Sequence, residues 1–222
     1  MKKIYLGLVI TGLLAGCANT ADTTSNVAST TNSVAAVATG SNLIIDPQLT
    51  QFRSNSGKSD VWKKQANKNK GLGDAGSSKD TAFGKEGSSR LRFMESTDDF
   101  TAQPGLSQEV FGLQPNTDYE FSLYYNDKKG DESPTELVFG VTSASGQSLA
   151  TKTVHTSELN NAPKGAVRDS FRQTSVSFNS GANVSVTVYA KLHIADLSKI
   201  DMDGDVAKQT EVRIDEFKLA QK

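Results

Sequence analysis

Six side chains in this sequence have the chemistry to recognise a ligand together: Arg90, Arg92, Tyr124, Tyr189, Lys191 and His193. Their neighbours are apolar with a period of two, which places alternate residues on opposite faces of a strand. If Leu91 and Phe93 point inward, Arg90 and Arg92 point outward; if Phe121, Leu123 and Tyr125 point inward, Tyr124 points outward. With Val188, Ala190 and Leu192 inward, Tyr189, Lys191 and His193 face out. Aromatic rings offer flat surfaces for stacking, and guanidinium groups can hold a carboxylate through two parallel hydrogen bonds. Gathered on one face, the set would make a basic, ring-lined groove. Separated, it would be an ordinary solvated surface, since strands read one at a time need not share a sheet.

Catalytic chemistry is harder to assemble. The single cysteine is Cys17, no Gly-x-Ser-x-Gly sequence occurs, and His155 and His193 are far apart with no metal-ligand spacing. Tyr189 and His193 share a strand face but are four residues apart, roughly 13 Å along an extended chain. Asp201-Met202-Asp203-Gly204-Asp205 superficially suggests a calcium loop. Its glycine falls at the fourth place and no glutamate stands at the twelfth, so a solvated acidic turn is expected. With 24 Lys+Arg against 25 Asp+Glu, the chain has no net field to attract nucleic acid.

The elements that must carry these residues are strands. Tyr119 to Tyr125, Leu137 to Val141, Val184 to Leu192 and Val212 to Phe217 alternate apolar and polar residues and are rich in Val, Phe and Tyr. Turn residues separate them at Pro115-Asn116, Asn126-Asp127 to Gly130, Ser145-Gly146, Asn179-Ser180-Gly181 and Asp203-Gly204. No amphipathic helix of three turns is evident. The pattern predicts an all-β fold, an antiparallel β-sandwich formed as a single domain over residues 41–222. Trp62 is expected to anchor its core, the alternative being a stacking platform on a loop.

The N-terminus has a different character. Lys2 and Lys3 precede an apolar run from Ile4 to Leu14 that is too short to span a bilayer, then Ala15-Gly16-Cys17. This arrangement resembles the lipobox of bacterial lipoproteins. The resemblance implies a signal peptide over residues 1–16 and lipidation of Cys17, with acyl chains attaching the protein to a membrane. Ala18 after the cysteine implies an outer-membrane lipoprotein, facing either the periplasm or the cell surface. Residues 17–40 contain one charge (Asp22) and no aromatic residue, and they read as a flexible linker.

Several short sequences carry a second resemblance. Asn42-Leu43-Ile44-Ile45-Asp46 opens the domain, followed by Trp62 and Ser88-Ser89-Arg90-Leu91-Arg92-Phe93. Leu113-Gln114-Pro115-Asn116-Thr117-Asp118-Tyr119 comes next, and Val212-Arg213-Ile214-Asp215-Glu216-Phe217 closes the chain. The order is similar to jelly-roll carbohydrate-binding modules of the galactose-binding-like type. The Leu-x-Pro-Asn-Thr-x-Tyr piece also occurs in fibronectin type III sandwiches, but those need only about 100 residues and would strand the remainder. The resemblance implies a jelly roll that binds polysaccharide on one sheet face, with the six residues above as contacts and the arginines favouring a uronate-containing, anionic ligand. It also implies a structural calcium between the first strand and the last. Asp215 matches the family's aspartate; Thr50 stands where its partner glutamate is expected, and Asp46 is the available substitute. Two other functions remain open: a polysaccharide lyase with Tyr189 or His193 as base and Arg92 neutralising the uronate, and a structural envelope lipoprotein that docks a protein partner.

Overall fold

The alternating segments become strands of two antiparallel sheets. The computed structural model describes residues 40–84, 86–159 and 171–222. Of the signal peptide, lipidated Cys17 and linker expected over residues 1–40, residues 1–39 lie outside the described residues. Sheet A consists of β1 (Lys63–Lys64), β4 (Gly105–Phe111), β9 (Ser185–Ile194), β6 (Thr135–Ser143) and β7 (Ser148–Val154), in that spatial order. Sheet B consists of β2 (Asp74–Ser78), β3 (Ser88–Arg92), β10 (Val212–Gln221), β5 (Asp118–Asp127) and β8 (Arg172–Asn179). The expected antiparallel jelly-roll sandwich is the observed fold. Two short helices, α1 (Thr50–Ser54) and α2 (Val206–Gln209), lie in the connections.

The core is the seam between the sheets. From sheet B, Phe121, Leu123 and Tyr125 point inward; from sheet A, Leu137, Phe139, Val141, Val188, Ala190 and Leu192 meet them, all fully buried. Phe121 bridges the layers, with ring centroids 6.0 Å from Phe139 and 6.3 Å from Phe217. Each large apolar side chain removed from water in this way contributes about 1.5–3 kcal/mol. Trp62 is a core residue: it is 2% exposed, packs 4.6 Å from Phe217, and donates its indole N–H to the Asp46 carbonyl at 3.1 Å. Val184 differs from expectation. It precedes β9 and is 58% exposed.

Local chemistry sets the corners. Asn116 takes a positive φ of 54° and passes the chain into β5. The Tyr119 hydroxyl there accepts a hydrogen bond from Gln114 N–H at 2.9 Å, which ties the strand back to its own turn. The opening segment, Asn42 to Asp46, is not a strand. The Asn42 amide donates to Phe217 O and accepts from Leu219 N–H, and the Gln108 amide takes both the N–H and C=O of Ile45. Side-chain amides thereby satisfy backbone groups that a ladder would otherwise pair.

Candidate carbohydrate-binding face

Register decides which outward residues meet. On β9 the predicted alternation holds: Tyr189, Lys191 and His193 all point away from the core. Ser107 of β4 lies opposite Tyr189 on one side, Gly140 of β6 on the other, and Thr151 of β7 lies opposite Gly140. The Tyr189 hydroxyl reaches Thr151 Oγ1 at 2.8 Å. Neighbouring strands are about 4.8 Å apart, so the tyrosine spans two strand intervals and must cross β6 at Gly140. Glycine permits this, because a Cβ at Gly140 would lie 2.8 Å from the tyrosine oxygen. Lys191 Nζ sits 5.0 Å from the ring centroid, within cation–π range. The other outward residues of β4, β6 and β9 bring Glu109, Phe111, Thr142 and Thr187 to the same face. Phe111 is 64% exposed. Sequence reasoning missed it because β4 alternates around Gln108, a buried amide in an apolar register.

Arg90, Arg92 and Tyr124 are on the opposite side of the sandwich. They belong to β3 and β5 and face outward from sheet B, so the shared groove expected of the six residues does not form. The two arginines also have partners. Asp74 lies 3.8 Å from each, and Glu211 lies 3.6 Å from Arg92. Glu211 in turn meets Arg213 at 2.6 Å, which meets Asp80 at 2.8 Å. Burial, followed by repulsion from Arg90, lowers the Arg92 pKa, while Glu211 and Asp74 oppose the shift. These guanidiniums form a charge network that clamps β2, β3 and β10 together, not a uronate clamp. The lyase arrangement fails for the same reason, because Arg92 and the Tyr189–His193 pair occupy different sheets. Tyr124 instead lines a cleft on sheet B, with Phe83 edge-on to it at 5.1 Å.

The two carboxylates expected to hold calcium are each engaged elsewhere. Asp46 accepts from the N–H groups of Gln51 and Phe52 at 3.0 Å and so caps α1. Asp215 accepts from Ala82 N–H at 2.9 Å and Glu216 N–H at 2.7 Å. Among the described residues no group of three or more acidic, histidine or cysteine side chains could hold a metal ion. Each of the two carboxylates is thus already held by two backbone N–H donors. The 201–205 segment is a solvated turn, in which Asp201 accepts from Asp203 N–H and Asp205 caps α2 through Lys208 N–H. His155 caps a short turn and contacts the Ser133 carbonyl at 3.1 Å.

No protein-family model and no curated protein matches the chain. Solved structures do share the fold. A carbohydrate-binding module, TmCBM61, in complex with β-1,4-galactotriose, superposes with a TM-score of 0.52 at 14% identity, covering 82% of this chain and 99% of the module. The enzymatically active domain of tailspike protein 4 from bacteriophage CBA120 gives a TM-score of 0.53 at 8% identity over 82% of this chain. The chain spans only 21% of that tailspike's length. At these identities the likeness is one of fold.

Proposed function

We propose that this protein is a non-catalytic, membrane-anchored module that binds polysaccharide on the outer face of sheet A. The observation that carries the reading is the Tyr189 ring laid across Gly140, with the flexible Lys191 ammonium over its outer face and hydroxyls of Ser107, Thr151 and Thr187 around it. A fixed ring gives a stacking surface for the apolar face of a sugar, and the hydroxyls and ammonium can bond its edge. The fold shared with TmCBM61, whose structure holds a galactotriose, supports the same reading. The expected preference for an anionic polymer now rests on Lys191, Lys63 and His193. Glu109 and Glu136 share the face and offset that charge. A hydroxyl-rich polymer of low charge is therefore the better match.

Anchoring belongs to the proposal through Cys17, which would carry acyl chains after removal of residues 1–16 and hold the domain at the outer membrane. Two experiments test these parts. Migration of the folded domain in native gels cast with neutral galactan, xylan, alginate or pectin should slow with at least one polymer. Unchanged migration in all of them contradicts the binding reading. Palmitate labelling in cells should occur with the natural chain and vanish with Cys17→Ser; labelling that survives the substitution contradicts the anchor.

A further inference from the structure

We infer that the molecule carries a second carbohydrate site, on sheet B, selective for a neutral sugar unit. The inference rests on the polysaccharide-binding reading and extends it to the opposite side of the sandwich. A cleft of about 510 Å³ opens where β10 departs from its regular register, between Asp215 and Lys218. Sites for small ligands typically occupy about 300–1,000 Å³. Phe83 and Tyr124 form one wall, their rings 5.1 Å apart and nearly perpendicular at 85°. Gln48, Gln173, Glu216 and Lys218 supply amide, carboxylate and ammonium groups around them.

The polar side of the cleft is pre-set. Glu216 has a positive φ of 51°, an unusual conformation for a residue with a side chain, and sits within the bulge of β10. Gln48 donates to its carboxylate at 3.2 Å, which fixes the position of an acceptor for sugar hydroxyls. Aromatic rings beside a paired amide and carboxylate match the two aspects of a hexose, an apolar C–H face and a hydroxyl edge. Charge sets the selectivity. Glu216 lines the cleft and Glu86 lies close enough to repel its negative charge, so a uronate would meet like charges here. Binding sites on opposite faces would let one domain bridge two polymer chains.

The test is calorimetric titration of the domain with β-1,4-galactotriose, a neutral xylo-oligosaccharide and a uronate oligosaccharide of equal length, comparing wild type with Phe83→Ala, Tyr124→Ala, Gln48→Ala and Tyr189→Ala. Thermal unfolding verifies that each variant is folded. The expected result is two sites per wild-type chain for a neutral oligosaccharide. Phe83→Ala, Tyr124→Ala and Gln48→Ala each weaken one site at least about tenfold and leave the other, and Tyr189→Ala does the reverse. A single site abolished by Tyr189→Ala and untouched by the other three variants overturns the second site while the sheet A reading stands. A single site lost with Phe83→Ala, Tyr124→Ala and Gln48→Ala but kept in Tyr189→Ala supports the cleft and overturns the sheet A reading. Tighter binding of the uronate than of the neutral sugars in the cleft contradicts the stated selectivity.

Discussion

The Tyr189 hydroxyl is held 2.8 Å from Thr151 Oγ1, two strands away across Gly140. That span depends on the missing side chain. Gly140→Val meets the Ala150 carbonyl and the tyrosine hydroxyl together, so it should shift β7 against β6, push the ring off the sheet and break the contact with Thr151. The expected outcome is a loss of glycan affinity of about tenfold or more, equivalent to about 1.4 kcal/mol, read by titration. Unchanged affinity in a folded Gly140→Val variant would mean that the ring position is irrelevant to binding.

Arg92 was a candidate ligand contact in the sequence, yet its neighbours are Asp74 and Glu211. Arg92→Ala should lower stability and leave polysaccharide affinity on the Tyr189 face unchanged. Arg213 is the stricter case, its side chain 9% exposed between Glu211 and Asp80. Arg213→Ala removes the shortest ion pairs of Glu211 and Asp80, while Arg92 and Lys128 stay beside Glu211, and should cost about 1.5–3 kcal/mol in chemical unfolding. A loss within about 0.5 kcal/mol would show that the network contributes nothing, in the range typical of surface positions.

Asp215 makes stability depend on pH. Burial pushes its carboxyl from 3.8 to about 7, against the pull of the Ala82 and Glu216 N–H groups. Between those values the folded state holds a proton that the unfolded chain has released, so stability falls as pH rises through the window and levels off above it. Glu216 and Asp127 are also raised by burial and act with the same sign. Wild type should therefore gain in melting temperature relative to Asp215→Asn as pH drops from about 7.5 to about 5. Parallel melting profiles for the two proteins would remove Asp215 from this account.

Gln108 holds both backbone groups of Ile45, at 2.8 Å each. Gln108→Leu keeps the size but strands a donor and an acceptor beside a buried position. The expected destabilisation is about 1–3 kcal/mol, together with faster amide exchange at Ile45. Exchange at Ile45 unaltered from wild type would contradict the bracing role.

The sandwich was legible because β5, β6 and β9 combine alternation with aromatic and β-branched residues, and β10 keeps that pattern on either side of its bulge. The strands that escaped notice are β1, β2, β4, β7 and β8. Asp74-Ala75-Gly76-Ser77-Ser78 has almost no apolar side chain and owes its strand to pairing with β3, while β7 is largely Ser, Thr and Ala. Outward directions were legible too, since Tyr124, Tyr189 and Arg92 all leave the core. Which sheet each strand joined was not. Alternation fixes the face of a strand relative to its own sheet, and only long-range pairing places β3 beside β10 and β9 beside β4. The Tyr124–Phe83 cleft was equally hidden, because its two rings come from a strand and a distant loop.

The central claim is that the Tyr189 face recognises polysaccharide. Its most direct test is equilibrium binding of the folded domain to immobilised polysaccharides, with Tyr189→Ala measured in parallel. The account predicts saturable binding to at least one polymer, weakened about tenfold or more by the substitution, with the unfolding midpoint unchanged. Equal binding by the two proteins, or no binding by folded wild type to any polymer tested, would contradict it.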